Sequence, residues 1–279
     1  MSLIIKQLSP AIGVEAFNVD LAQPLTDSAK KQLKDAFDQN GILLLRGQKL
    51  TEEQLVPAGS WLGELTTRGR PSAVQREGNP YITKVSNIRE NGKLIGSLPD
   101  GEMLFHFDSA FNEKPHRASF LYAIEIPAKG GNTIFANMYK AYEMIPDDLK
   151  SKLEGKAVIQ SYDYSTYEKS EREAGISNVR EASHPIFITH PATKRKALYV
   201  CRLMTQKIEG MSSSESDAIL NELFDIAEDD AVRYEHIWQP GDFLAWDNLS
   251  SMHARTDFSA SERRLLLRGT TIGDVRPYA

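Results

Sequence analysis

The segment LFHFDSAF, residues 104–111, sets His106 and Asp108 two positions apart among apolar and aromatic neighbours. Read as a strand from Leu104 to Ala110, it sends residues i and i+2 to one face, where an imidazole and a carboxylate converge. These are two ligands of a facial metal triad, which needs a second imidazole and leaves the remaining metal positions open. Five further histidines are available: His116, His184, His190, His236 and His253. His253, in WDNLSSMHARTDF, has the suggestive context. It follows a strand at Phe243–Trp246 and precedes a final strand that a closed or sandwiched β fold can lay beside an early one. Spacing alone favours a plainer reading, a hydrogen-bonded pair or a surface turn. His184 and His190, in HPIFITHP, read as strand-end residues held before prolines, and His116 and His236 carry no stronger signal.

Arg264 and Arg268 form a second constellation. In RRLLLRGTT they lie four apart, on one face of a strand with Leu266 between them and Leu265 and Leu267 opposite. A guanidinium fork binds carboxylate in bidentate fashion, and burying it without an anion is costly, so two inward arginines suggest a small acidic ligand. The competing reading pairs them with Asp247 or Asp257 on an outward face.

The elements that must position these groups are mostly strands: Ile42–Arg46, Arg117–Ile126, Ala157–Tyr162, Pro185–Thr189, Ala197–Cys201, Arg233–Trp238, Phe243–Trp246 and Arg263–Ile272. They are short and rich in β-branched and aromatic residues, with turn signals such as Lys129-Gly130-Gly131-Asn132 between them. Three helices are expected. The first, in TDSAKKQLKDAFDQNG, is capped by Thr26 or Asp27 and closed by Gly41. The second, in TEEQLVPAGSWLGEL, has Thr51 and Gln54 in capping-box spacing and an early Pro57. The third, in SSSESDAILNELFDIAEDD, pairs Ser212 with Glu215. Many strands without strict strand-helix alternation favour a β-sandwich or jelly roll. Residues 66–104 form a long polar stretch of the kind that covers a site.

Composition excludes several function classes. The 279 residues carry a net charge of −5 with no basic stripe, which disfavours nucleic acid. No apolar run approaches a membrane span, and MSLIIKQLSP lacks the features of a signal peptide, so a cytoplasmic location is expected. The single cysteine, Cys201, rules out an intramolecular disulfide and reads as a buried apolar residue. With no internal repeat or linker, residues 1–279 read as one domain.

Seven stretches in order carry a family resemblance: GVEAFNVDL, GILLLRGQKLT, HFDSAF, PAKGGNTIFANMYKAYEMIP, HPIFITHPATKRKALYV, WQPGDFLAWDN and MHARTDFSASERRLLLRGTTIGD. Over nearly the whole chain they resemble the taurine dioxygenase and 2,4-dichlorophenoxyacetate dioxygenase family of iron(II)- and 2-oxoglutarate-dependent oxygenases. The resemblance implies a mainly β double-stranded β-helix (jelly roll, cupin-like) with flanking helices. It implies that His106, Asp108 and His253 ligate Fe(II). Thr133 and Arg264 would hold 2-oxoglutarate, Arg268 would contact an anionic substrate, and O2 would be the second cosubstrate. Read from the residues alone, Thr133 is an ordinary strand residue. The implied reaction is hydroxylation of a small acid with release of succinate and CO2, and Asp108 argues against halogenation. Residues 66–104, with Arg68, Arg70, Tyr81, Lys84, Asn87 and Met103, would form a lid or pocket wall. A homo-oligomer, dimer or tetramer, is implied as well. Two other classes stand beside this one: a non-catalytic jelly-roll binding protein, and a zinc-dependent hydrolase with no use for Thr133 and Arg264.

Overall fold

The runs Ile42–Leu45 and Phe243–Asp247 are buried at every position, which requires packed layers on both of their faces. The computed structural model, which describes residues 3–67, 79–97, 101–162 and 180–279, supplies those layers. The two runs pair antiparallel at the centre of a seven-stranded sheet. Its order is Ile4–Gln7, Val14–Phe17, Ile42–Leu45, Phe243–Asp247, Ala118–Glu125, Leu265–Thr270 and Thr83–Ser86. Alternation divides the side chains. Leu43, Leu45, Phe243 and Ala245 pack outward with Leu33 and Phe37 of the helix Asp27–Asn40. Ile42, Leu44, Leu244 and Trp246 pack inward with Phe135 and Trp238.

Phe135 belongs to a four-stranded antiparallel sheet in the order Arg233–His236, Thr133–Asn137, Ser251–Arg255 and Met103–His106. One residue on, Ala136 faces the other way, into a cluster with Met252 and with Leu220, Leu223 and Phe224 of the helix Ser213–Ala227. Two sheets thus face one another with helices outside, the jelly roll expected from the sequence. Among the described residues no helix is long and apolar enough to cross a membrane.

The expected caps are in place. Thr26 Oγ1 accepts from Ala29 N at 3.2 Å, Gly41 takes the left-handed conformation (φ 73°) that ends the helix, and Ser212 caps the Ser213 helix. The Thr51–Gln54 box closes reciprocally, at 2.9 and 3.4 Å, but its α-helix is only Leu55–Gly59 and passes into a tighter turn at Ser60–Leu62. Other boundaries differ from expectation. The strand expected to reach Ala110 ends at His106, and Asp108 lies in a turn where Ser109 has φ 63°. Pro185 ends one strand, Arg180–Pro185, and a separate one runs Phe187–Thr189. The final strand is Leu265–Thr270, with a register irregularity at Leu265/Leu266 that leaves Arg264 just outside it.

Phe120 shows how tightly the outer layer is closed. Its ring is stacked on Phe243 with centroids 4.7 Å apart, and it occupies the space that a Cβ at either Gly59 or Gly269 would need. A Cβ at 269 would stand 2.3 Å from Phe120 Cζ. Gly269→Ala is therefore expected to cost about 1–3 kcal/mol by overpacking, read as a lower urea midpoint at unchanged slope. An unchanged midpoint would show that the ring can move aside.

Candidate active site

His106 ends its strand and pairs directly with His253 on the neighbouring one, so the two imidazoles lie side by side with ring centroids 4.2 Å apart. The turn that follows His106 then brings Asp108 back over them. Asp108 Oδ1 lies 4.0 Å from His106 Nε2 and 3.8 Å from His253 Nε2. The three residues are buried, and each offers a ligand atom within 4.8 Å of the others. Among the described residues no second such trio exists.

The protonation states suit metal binding. Burial pushes the pKa of both histidines down, with the neighbouring His106 adding to the effect on His253, so both imidazoles are neutral at neutral pH. His106 Nδ1 lies 2.9 Å from the Leu104 carbonyl, an acceptor only, so Nδ1 carries the proton and Nε2 keeps its lone pair. Burial works against a charged Asp108, yet Arg268, the two histidines and Ser119 together hold its carboxyl far below the usual range. Its oxygens have separate partners. Ser119 Oγ donates to Oδ2 at 2.6 Å and Arg268 Nη2 stands 2.5 Å from it, which turns Oδ1 to the histidines. Asn248 supports this arrangement: its Oδ1 accepts from Asp108 N, and its Nδ2 donates to Ser119 Oγ.

A cavity of about 440 Å³, counting its open mouth, reaches from His106 and His253 to Thr133, Arg255, Arg264 and Arg268. Val85, Met103, Leu121 and Trp246 give it apolar walls. Arg264 is 2% exposed, and Nε and Nη2 both donate to Gly131 O, at 3.2 and 3.0 Å. Its Nη1 has no hydrogen-bond partner among the described residues, and no ion pair to a described carboxylate offsets the charge. Burial and the charge of Arg255 push its pKa down to about 9. Thr133 Oγ1 accepts from Trp238 Nε1 at 3.1 Å, which leaves its own proton to donate. Arg268 shares the inner face with Arg264, and its Nε has no hydrogen-bond partner among the described residues. Neither arginine pairs with Asp247 or Asp257. Asp247 holds Arg117 and His190.

Five of the six expected residues, His106, His253, Thr133, Arg264 and Arg268, thus line one cavity, and the sixth, Asp108, lies against His106, His253 and Arg268. The other four histidines lie elsewhere, each with a hydrogen-bond partner. His184 Nε2 reaches the carbonyls of Ala110 and Asn112, His116 meets Ser109, His190 meets Asp247, and His236 meets Asp242. Phe105, Phe107 and Phe111 pack in the core, and Cys201 is buried. From the 66–104 stretch, Met103 and Val85 line the cavity and Tyr81 is exposed. Asn87 instead holds the main chain around Arg264: Oδ1 accepts from Arg264 N at 3.0 Å and Nδ2 donates to Glu262 O at 2.7 Å. Arg68 and Arg70 lie outside the described residues. Ser119, Asn248 and Arg255 were not anticipated from the sequence.

The chain also resembles known proteins over nearly its whole length. The family described as taurine catabolism dioxygenase TauD, TfdA family matches residues 4–271. Pentalenolactone F synthase of Streptomyces avermitilis is 30% identical over 95% of this chain and 92% of its own length. The alpha-ketoglutarate-dependent 2,4-dichlorophenoxyacetate dioxygenase of Cupriavidus pinatubonensis is 28% identical over 99% of both. A crystal structure of a taurine dioxygenase from Burkholderia xenovorans superposes with a TM-score of 0.84 at 28% identity, covering 100% of this chain and 92% of that one.

Proposed function

The chain belongs to the TauD, TfdA family and is a 2-oxoglutarate-dependent dioxygenase, and on that premise we propose that it uses Fe(II) to hydroxylate a small anionic organic acid. The observation that carries this reading is a single cavity lined both by two neutral imidazoles, which converge with the Asp108 carboxylate, and by the partly unpartnered Arg264. Two imidazoles and a carboxylate oxygen suit iron(II) and leave part of its coordination sphere open. When bound, iron and 2-oxoglutarate supply the oxidising power: O2 and the cosubstrate yield succinate and CO2, and a substrate C–H becomes C–OH.

The protein's part is to bind, orient and exclude water. His106, fixed through Leu104 O, and His253 present Nε2, and Asp108 presents Oδ1 because Ser119 and Arg268 occupy Oδ2. Arg264 Nη1 and the Thr133 hydroxyl are the donors for the distal carboxylate of 2-oxoglutarate. The apolar walls keep these hydrogen bonds desolvated, which strengthens them. Arg268, with Nε turned to no described partner, receives the acidic group of the substrate. The 2,4-dichlorophenoxyacetate named for one relative is itself such an acid.

Gly131 makes the seat of Arg264 possible. It has φ 65°, and a Cβ there would lie 3.1 Å from Arg264 Nε and 3.2 Å from Cδ. Gly131→Ala is expected to displace the guanidinium and raise the half-saturating 2-oxoglutarate concentration by about tenfold or more, with iron content unchanged. An unaltered concentration dependence would remove Arg264 from the cosubstrate pocket. For Arg268→Ala, succinate formation stimulated by substrate is expected to fall by more than the basal rate. A proportional fall in both would refute the substrate role of Arg268.

The function itself is tested by succinate release from 2-oxoglutarate with iron(II), ascorbate and O2 across a panel of small carboxylates, sulfonates and sulfate esters. Strong stimulation by a panel member, with that compound hydroxylated, is the expected result. A compound oxidised without succinate release would overturn the proposal.

A further inference from the structure

Arg255 has no role in the reading above, yet it lines the same cavity. It closes the strand Ser251–Arg255, two positions beyond His253 and on the same face. In the ladder with Thr133–Asn137, His253 is opposite Phe135 and Arg255 is opposite Thr133. Side chains directly opposite start about 5 Å apart on one face. Two residues along a strand cover roughly 6.6 Å, so Arg255 stands one step from the metal-binding end toward the end closed by Thr133 and Arg264. The two guanidiniums also lie against one ring: each Cζ is 5.7 Å from the centroid of Phe258. Arg255 is held there by Nε and Nη2, which donate to Gly101 O at 3.0 and 2.7 Å.

Two guanidiniums in one desolvated pocket repel, and the charge of Arg255 is felt at Arg264. An anion placed between them turns both interactions favourable. We propose that Arg255, together with Arg264 and Thr133, binds the distal carboxylate of the cosubstrate. The pair of cations then sets a preference for a 2-oxo-dicarboxylic acid over a 2-oxo-monocarboxylic acid of equal length. The inference rests on the assignment of this cavity to 2-oxoglutarate.

The test is calorimetric titration of the Mn(II)-loaded protein with 2-oxoglutarate and with 2-oxopentanoate, which has a methyl group in place of the distal carboxylate. Wild type, Arg255→Gln, Arg255→Lys and Arg264→Gln are compared, and the melting temperature of each without ligand checks its fold. Arg255→Gln is expected to weaken 2-oxoglutarate roughly 10- to 100-fold and 2-oxopentanoate by less than about threefold. Arg255→Lys, which keeps the charge and loses the fork, falls between, and carries the same comparison should Arg255→Gln not fold. Wild-type affinity for 2-oxoglutarate in Arg255→Gln would overturn the inference while leaving the cavity assignment intact, provided Arg264→Gln is impaired. Equal weakening of both ligands would overturn it too, and make Arg255 a support for the wall at Gly101. If the wild type takes up no 2-oxoglutarate, the cavity assignment falls and the inference with it.

Discussion

Asp108→Asn is expected to give a folded protein that neither retains iron(II) nor turns over 2-oxoglutarate. The asparagine fills the same volume, and its oxygen can still accept the hydrogen bond from Ser119 Oγ that Asp108 Oδ2 accepts at 2.6 Å. It has no negative charge to set between two neutral imidazoles, and an amide is a poor ligand in place of Oδ1. Removing a group that only supports a ligand typically costs about 10- to 100-fold in metal affinity, so losing the ligand charge itself is expected to exceed about 100-fold. Arg268 loses its partner as well, but its side chain is 22% exposed and water can compensate in part. Iron per chain after dialysis, with circular dichroism as the fold control, checks this. Stoichiometric iron and full turnover in the variant would remove Asp108 from the ligand set.

The second large effect is at Arg264. Its main chain is held independently of its side chain, by Asn87 at N and by Ser86 Oγ at O, 2.8 Å away. Arg264→Met should therefore keep the local backbone while deleting the guanidinium. Truncating one partner of a buried, hydrogen-bonded charge pair costs roughly 2–5 kcal/mol, so the half-saturating 2-oxoglutarate concentration is expected to rise by about 30-fold or more. Stability without ligand should move the other way. No ion pair to a described carboxylate offsets this buried charge, and a charge taken out of water without a counter-ion is costly, so its replacement by an apolar side chain is expected to be neutral or stabilising. The expected signature is a melting temperature that is unchanged or raised in the free protein and insensitive to added 2-oxoglutarate. A variant destabilised when free yet stabilised by 2-oxoglutarate as much as wild type would contradict the role.

The candidate residues of this site were legible in the sequence because their signals are local, but spacing alone favoured a plainer pairing of His106 with Asp108, and the roles, Thr133's included, came from the ordered family resemblance. His106 and Asp108 announce themselves by polarity in an apolar run, and Arg264 and Arg268 by strand spacing. The reason they converge was only partly legible. Asp108 was placed beside His106 by the pleat of a strand, whereas a turn with Ser109 at φ 63° brings it round. The strand carrying His253 was not recognised, since SMHAR lacks a run of β-branched residues. Arg255 is hidden for the same reason, because the i+2 spacing that groups His106 with Asp108 groups His253 with Arg255 only once Ser251–Arg255 is known to be a strand. Ser119 and Asn248 orient Asp108 from 11 and 140 residues away, and no pattern in the chain points to such long-range pairs. The strand Ile4–Gln7 escaped because it is exposed at every position and shows no alternation. The helix Met138–Met144 spans two turns, too short for a periodic stripe, and only its Asn137 cap marks it.

The most direct measurement is the visible spectrum of the purified protein under anaerobic conditions as iron(II) and then 2-oxoglutarate are added. If His106, Asp108 and His253 hold the metal and the cavity seats the cosubstrate against Arg264, a weak metal-to-ligand charge-transfer band develops and saturates at one equivalent of each. It should be lost in Asp108→Asn and need far more 2-oxoglutarate in Arg264→Met. No band in the wild type at saturating iron and 2-oxoglutarate, or an equal band in Asp108→Asn, would contradict the assignment of this site.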